Sequence, residues 1–228
     1  MKEMLARHKG KLILSSLVIL LPILPAAFAG QTLFLWEPVL LLVSQWVIML
    51  VVLHANRNKE QSPKVLNLVA WILPVLSLLL GVVGQLAQGG ADSAYLITAL
   101  FTFFMGLLFF LIGNYMPKTK QNGAVGIRIK WTLESEENWD ATHRYAGKLW
   151  CLGGLLLMVC ALIPSVLMVI LLWIVILAAM VILPTRYSYR FYKSQVAEGK
   201  VEKRPVKPRS IVLIAVLVLA FGAFLAWS

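Results

Sequence analysis

Seven apolar stretches constrain this chain more than anything else in it. They cover residues 12–29, 38–55, 65–87, 94–116, 147–164, 166–184 and 210–227. A helix needs roughly 17 to 25 predominantly apolar residues to cross the hydrocarbon of a bilayer. In that solvent a crossing segment must satisfy its own backbone hydrogen bonds, as helices do and open sheet edges do not. The fold class expected is all-α: a polytopic helical membrane protein with about seven transmembrane helices. With 60% apolar and 14% charged residues, the chain also lacks the polar shell of a soluble domain of its size. The stretch from Lys148 to Arg186 is too long for one crossing, and Pro164 near its middle is where a hairpin turn is expected.

The basic residues give these helices a direction. Lys2, Arg7, Lys9 and Lys11 precede the first run, and Arg57, Lys59 and Lys64 lie between the second and third. Lys118, Lys120, Arg128, Lys130, Arg144 and Lys148 lie between the fourth and fifth, and the remaining eight, from Arg186 to Arg209, lie between the sixth and seventh. The alternate loops contain no Lys or Arg, only Glu37 and Asp92. Cytoplasmic loops are the ones enriched in Lys and Arg. The amino terminus is therefore expected in the cytoplasm and the carboxyl terminus outside. The net charge of +11 reads as topology plus attraction to an anionic inner leaflet. Direct nucleic-acid binding is not expected.

Residues 1–184 read as a helix bundle, 185–209 as a basic cytoplasmic linker, and 210–228 as a final transmembrane helix. The amino terminus has signal-peptide character, with a basic start, Pro25 and Ala27-Phe28-Ala29, and is read as a retained helix. Cys151 and Cys160 stand about 13 Å apart in rise on opposite faces of one helix, so no disulfide joins them. No ionisable residue lies near the middle of a span, which speaks against a proton-driven transporter. Gln45, Asn67, Gln85, Thr98 and Thr102 are the polar exceptions, and helix packing is their ordinary role. A facilitator would need a polar cavity around Gln45, Thr98 and Thr102. Thr98, Thr102, Gly106 and Gly113 put small groups on one face of the fourth helix, favouring close approach by another. Trp36, Tyr95 and Trp227 fall near the outer interface; Tyr115, Trp150, Tyr187, Tyr189 and Tyr192 fall near the inner one.

Residues 113–148 differ from the rest. Pro117 ends the fourth span, and Asn122 and Gly126 suit tight turning. Ile127, Ile129 and Trp131 alternate with Arg128 and Lys130, the pattern of a short extended piece. Ser135 can cap a helix opening with Glu136 and Glu137. On that helix Trp139, Thr142, His143, Ala146 and Trp150 form a stripe, which predicts an interfacial amphipathic helix joined to the fifth span at Gly147. Asp140 and Arg144 share another face. Glu136, Asp140 and His143 have spacing compatible with one metal, but with a single histidine and no second ligand pair no metal site is expected. Neither a cofactor nor a catalytic residue is expected. An enzyme would have to use His143, Asn114 and Arg128 at the inner face.

Gly113-Asn114, Pro117-Lys118, Lys120, Asn122, Gly126-Ile127-Arg128, Trp131-Thr132-Leu133, Trp139, Thr142-His143-Arg144 and Gly147-Lys148 resemble the signature of the SdpI-type bacterial immunity proteins. The resemblance covers roughly residues 100–190 and is looser upstream. It implies a multi-spanning protein of the bacterial plasma membrane. It further implies protection against a toxic peptide and, in signalling, retention of a cytoplasmic transcriptional repressor at the membrane. The candidate contact residues for such partners are Asn114, Lys118, Lys120, Asn122, Arg128, Lys130, Trp131, Trp139, His143 and Arg144. Members often carry a Leu-Pro…Pro…His-Trp-like outer loop after the first helix. Residues 30–37 are too short for it, and only Pro22, Pro25 and Trp36 stand nearby.

Overall fold

The computed structural model describes residues 2–28, 30, 35–55 and 61–201, with side chains placed in these except at 2–8 and 91–92. Among the described residues the elements are helical. In chain order they are α1 (Lys2–Leu20), α2 (Ile23–Phe28), α3 (Trp36–Ala55), α4 (Pro63–Leu86), α5 (Ala94–Tyr115), α6 (Lys130–Glu134), α7 (Glu136–Cys160) and α8 (Val166–Ala197). Short 3-10 turns, Ala87–Ser93 and Met116–Lys118, bracket α5. Helix starts follow their capping chemistry. Ser62 Oγ accepts from Lys64 N at 3.3 Å ahead of Pro63, and Ser135 Oγ accepts from Asn138 N at 3.1 Å ahead of Glu136 and Glu137. The hairpin between α7 and α8 turns at residues 161–165, around Pro164 as its sequence requires.

Five described segments have the length and apolarity of membrane spans: Lys9–Phe28, Trp36–Ala55, Pro63–Gly90, Ala94–Lys118 and Val166–Ala197. Large apolar side chains cover their outer surfaces, with Leu40, Leu167 and Val175 each about two-thirds exposed to the surroundings. An exposed apolar mantle of this kind is at home in lipid and not in water.

The tightest packing joins α5 and α7, and its cause is glycine. A Cβ on Gly106 would lie 2.7 Å from the Gly154 carbonyl oxygen, and one on Gly154 would lie 2.5 Å from that of Gly106. About two turns away, a Cβ on Gly113 would lie 2.8 Å from the Gly147 oxygen, and one on Gly147 would lie 2.8 Å from that of Gly113. The helices are therefore antiparallel, with paired glycines seven residues apart on each. Backbones can approach this closely only without side chains between them, and in lipid such contact drives helix association. Gly106 and Gly113 of the small face expected on the fourth span are the α5 side of this contact, while Thr102 meets Trp173 of α8. Against the pair lies α8, through a core of Leu157, Cys160, Ile176 and Met180 with Phe109, Trp150 and Trp173 packed around it. A second cluster, Leu12, Met49 and Ala70, binds α1, α3 and α4.

Prolines inside the spans leave carbonyls without donors, and side chains from other helices supply them. Pro74 lacks the N–H that would reach Ala70, and Gln45 Nε2 donates to the Ala70 oxygen at 2.8 Å. Pro184 lacks the N–H that would reach Met180, and Trp150 Nε1 donates to the Met180 oxygen at 3.2 Å. Where α1 gives way to α2 at Pro22, Ser77 Oγ donates to the Ile19 oxygen at 2.8 Å. An unpaired carbonyl in hydrocarbon costs several kcal/mol, so the Gln45 and Trp150 contacts each preserve a helix that its proline would weaken.

Four expectations change. The extended piece ends at Ile129 and not at Trp131, because Lys130–Glu134 forms the short helix α6. The stripe of Trp139, Thr142, His143 and Ala146 does not lie on lipid: all four are buried at 1% exposure or less, Trp139 and His143 under the segment preceding α6. Gly147 is no junction, since α7 runs unbroken from Glu136 to Cys160. The expected fifth run thus lies on a helix whose polar first half keeps it outside the five spans. Finally, α8 continues past residue 184 to Ala197, so the first part of the expected linker is helical. At 32 residues it is about 48 Å long, well beyond the roughly 30 Å hydrocarbon.

Residues up to Phe191 form one compact unit, and the chain from Tyr192 belongs to another. The described part of the latter closes α8 at Gly199, φ +71°, with Lys200 N donating to the Gln195 oxygen at 2.9 Å. The rest of the linker and the expected helix at 210–227 lie outside the described residues.

Candidate functional site

The segment between α5 and α7 is built around His143. Its Nε2 accepts from the backbone N–H of Ile127 at 2.9 Å, and its Nδ1 lies 2.8 Å from the Trp139 carbonyl oxygen. An amide N–H only donates and a carbonyl only accepts, so the ring is neutral with its proton on Nδ1. Burial pushes its pKa below the ordinary imidazole value, outweighing the opposite pull of the Trp139 carbonyl and of Asp140. The imidazole also stacks on Trp139, with centroids 4.1 Å apart, and Trp139 Nε1 donates to the Thr119 oxygen at 2.8 Å. Both residues thus hold loop backbone against α7.

Gly126 makes this approach possible. Its φ of +113° suits only glycine, and a Cβ there would sit 2.5 Å from His143 Nε2. Asn122 closes the loop on itself: Oδ1 accepts from Ala124 N at 2.6 Å and Val125 N at 2.8 Å, while Nδ2 donates to the carbonyls of Lys120 and Val125. Buried Thr132 stands between Ile127 and Ile129 with its hydroxyl 2.7 Å from the Ile127 oxygen, and Gln121 Nε2 donates to the terminal carbonyls of α6. From the loop before α4, Gln61 grips Lys120 twice, donating to its oxygen at 2.7 Å and accepting from its N–H at 3.0 Å.

Sequence reasoning missed Asn138. It is fully buried, donating from Nδ2 to the Ser188 carbonyl at 3.1 Å and accepting at Oδ1 from the hydroxyls of Ser188 and Thr142. This polar contact clips the start of α7 to α8, fifty residues away. Its position on the buried stripe beside Trp139 and Thr142 was the available signal. Trp131 meets Tyr189 at 4.9 Å between centroids, and Tyr145 stacks on Tyr187 at 4.6 Å, so aromatic pairs reinforce the contact.

The predicted site residues therefore separate into groups. Trp139 and His143 meet in the buried core under the loop, half-buried Asn122 ties the loop to itself, and Trp131 braces α8. Lys120 and Arg128 are exposed on the outside, and exposed Lys118 lies over the Tyr115 ring at 4.5 Å. Lys130 is half-buried at the start of α6. Asn114 and Arg144 instead line a separate open cleft of about 700 Å³, with Glu137, Tyr145, Lys148 and Tyr187. His143 is not on that cleft. Nor does it join Glu136 and Asp140 as a metal ligand, since both its nitrogens are engaged, and the described residues contain no group of three potential ligands.

Contacts between distant segments bring the basic ends of the helices together. Lys11 Nζ donates to Asn67 Oδ1 at 2.7 Å, Gln61 binds Lys120, and Asn138 binds Ser188. The loop, the cleft and these ends share one face of the bundle. The polar residues considered for a conduit have separate structural partners. Gln45 serves Ala70, Thr102 accepts from Trp173 Nε1 at 3.1 Å, and Thr98 donates to Ala94 at 2.8 Å on its own helix.

Known proteins resemble the chain in this region and beyond. Residues 118–188, from the loop through α7 and most of α8, match the SdpI/YfhL protein family. The immunity protein SdpI of Bacillus subtilis (strain 168) is 27% identical over 173 residues, covering 74% of this chain and 79% of that protein. No solved structure matches.

Proposed function

Because this chain is a membrane protein of the SdpI type, we propose that it is an immunity protein of the plasma membrane. It protects the cell that makes it against a membrane-active toxic peptide. The observation that carries this reading is the family segment itself, folded into a scaffold whose named side chains support structure. Both nitrogens of His143 hold backbone, which favours a non-catalytic role over an enzyme at this face. Separate structural partners for Gln45 and Thr102 likewise favour a scaffold over a conduit.

In this reading the basic face is cytoplasmic, by the positive-inside rule. The second half of α7 crosses with the five spans, and residues 210–227 add a seventh crossing, so the amino terminus is inside and the carboxyl terminus outside. Exposed Lys118, Lys120 and Arg128 then face the cytoplasm, where a transcriptional repressor with an acidic surface docks. Such rim charges govern encounter more than they govern folding.

Expression in a peptide-sensitive host tests protection by survival against a panel of secreted membrane-active peptides. Unchanged killing by every peptide, with the protein present in the membrane, would overturn the immunity reading. Repressor recruitment is tested by membrane fractionation of a fluorescently tagged candidate. Alanine at Lys120 and Arg128 should release it while leaving the protein's abundance unchanged, and full retention would remove those residues from the contact.

A further inference from the structure

The cleft between the end of α5, the start of α7 and the end of α8 has features that the immunity reading does not use. Arg144 and Lys148 stand one turn apart on the same face of α7, about 6 Å in rise. Both are exposed, and among the described residues neither makes a hydrogen bond or ion pair. Asn114, also exposed and without a partner there, adds an amide from α5. The Tyr145 and Tyr187 rings, stacked on each other, form a wall. Gly113, Gly147 and Pro117 line the base, so backbone without large side chains leaves the space of about 700 Å³ open. Two free cations in a concave site suit one phosphodiester group, for which Arg offers paired donors and Lys a point charge.

What lies below the cations decides the kind of phosphate. Along α7, residues 144, 148, 151, 155 and 159 fall within about 60° of a common direction. The cations are thus followed toward the membrane interior by Cys151, also on the cleft, and then by Leu155 and Val159, with Leu152 beside them. Leu152 is 53% exposed, Leu155 50% and Val159 58%. From Arg144 to Val159 the rise is about 22 Å, enough for a headgroup and the acyl chains of one leaflet. A free phosphoanion would have no use for that apolar track.

We propose that this cleft seats the phosphate of an anionic phospholipid from the leaflet on the basic side, with its acyl chains along Leu152, Leu155 and Val159. The site is independent of which toxic peptide or repressor the protein meets. The test uses the full chain, delipidated in detergent, and follows thermal unfolding with phosphatidylglycerol, phosphatidylcholine or glycerol phosphate. Phosphatidylglycerol should raise the Tm more than phosphatidylcholine, and glycerol phosphate should leave it unchanged. The extra shift should fall by at least half in Arg144→Gln/Lys148→Gln and persist in Lys118→Gln/Arg128→Gln, which removes equal charge outside the cleft. Equal loss in both pairs would mean unspecific surface attraction, and a matching shift with glycerol phosphate would mean a free anion; either overturns the proposal. Photoreactive phosphatidylglycerol on the unaltered protein provides an arm that needs no variant. Crosslinks should concentrate in residues 137–151, and their absence there overturns the site even if the cleft variant does not fold.

Discussion

Gln45 Nε2 donates to the carbonyl oxygen of Ala70 at 2.8 Å, and that oxygen is the one Pro74 leaves without its helical donor. The glutamine is 1% exposed, so its amide replaces a backbone bond where no water can. Gln45→Leu should therefore destabilise the protein by about 1–3 kcal/mol. In a Pro74→Ala background the restored N–H serves Ala70, and the same substitution should cost markedly less. A double-mutant cycle by thermal or denaturant unfolding in detergent checks this. Additive costs would show that the glutamine acts elsewhere.

Trp150 stands in the same relation to Met180, through the missing N–H of Pro184. Trp150→Phe keeps most of the ring packing against Phe109 but removes the donor. It should cost about 1–2 kcal/mol and lose most of that cost when combined with Pro184→Ala. Unfolding of the two single variants and the double variant measures the coupling.

His143 makes the protein sensitive to acid. Its folded pKa is depressed by burial, so the unfolded chain takes up the proton more readily. Stability is therefore fully present above the unfolded value of about 6.5. It falls as the pH drops below that value toward the lower folded one, and then levels. Melting temperatures between neutral pH and pH 5 should decline in the unaltered protein. His143→Gln, which is less stable throughout for want of the ring stack, should lose part of that slope. An identical slope in the variant would assign the effect to other groups.

Gly126→Ala should be among the most damaging single-methyl additions, because it meets both a φ of +113° and the His143 ring. A cost of about 2–4 kcal/mol is expected, and protease should cut the 119–133 segment sooner. Gly123→Ala, three residues away with open space around its Cβ, is the control and should be close to neutral.

On the α5–α7 contact, Gly154→Ala places a methyl 2.5 Å from Phe110 N and the Gly106 oxygen, both backbone atoms that cannot swing aside. The helices must part, and a loss of about 1–3 kcal/mol should follow. Crosslinking between cysteines placed at the basic ends of the two helices should weaken in parallel.

The sequence alone determined whatever depends on neighbours within a turn or two. Apolar length marked the described spans, and Pro164 marked the hairpin. Ser135 marked the start of α7, Asn122 and Gly126 the loop turns, and the small residues of α5 a close-packed face. Each is a local rule of backbone geometry or of solvent, readable along the chain. Tertiary structure decided which groups meet. His143 finds Ile127 across 16 positions, Gln45 finds Ala70 across 25, Trp150 finds Met180 across 30 and Asn138 finds Ser188 across 50. It also turned the Trp139–His143 stripe from a lipid-facing surface into a buried one, since periodicity reveals that a face is apolar but not what covers it. The physical reason is common to all of these. A buried donor or acceptor must be paired, but its partner is chosen by how helices pack, and that choice leaves no mark on the residues nearby.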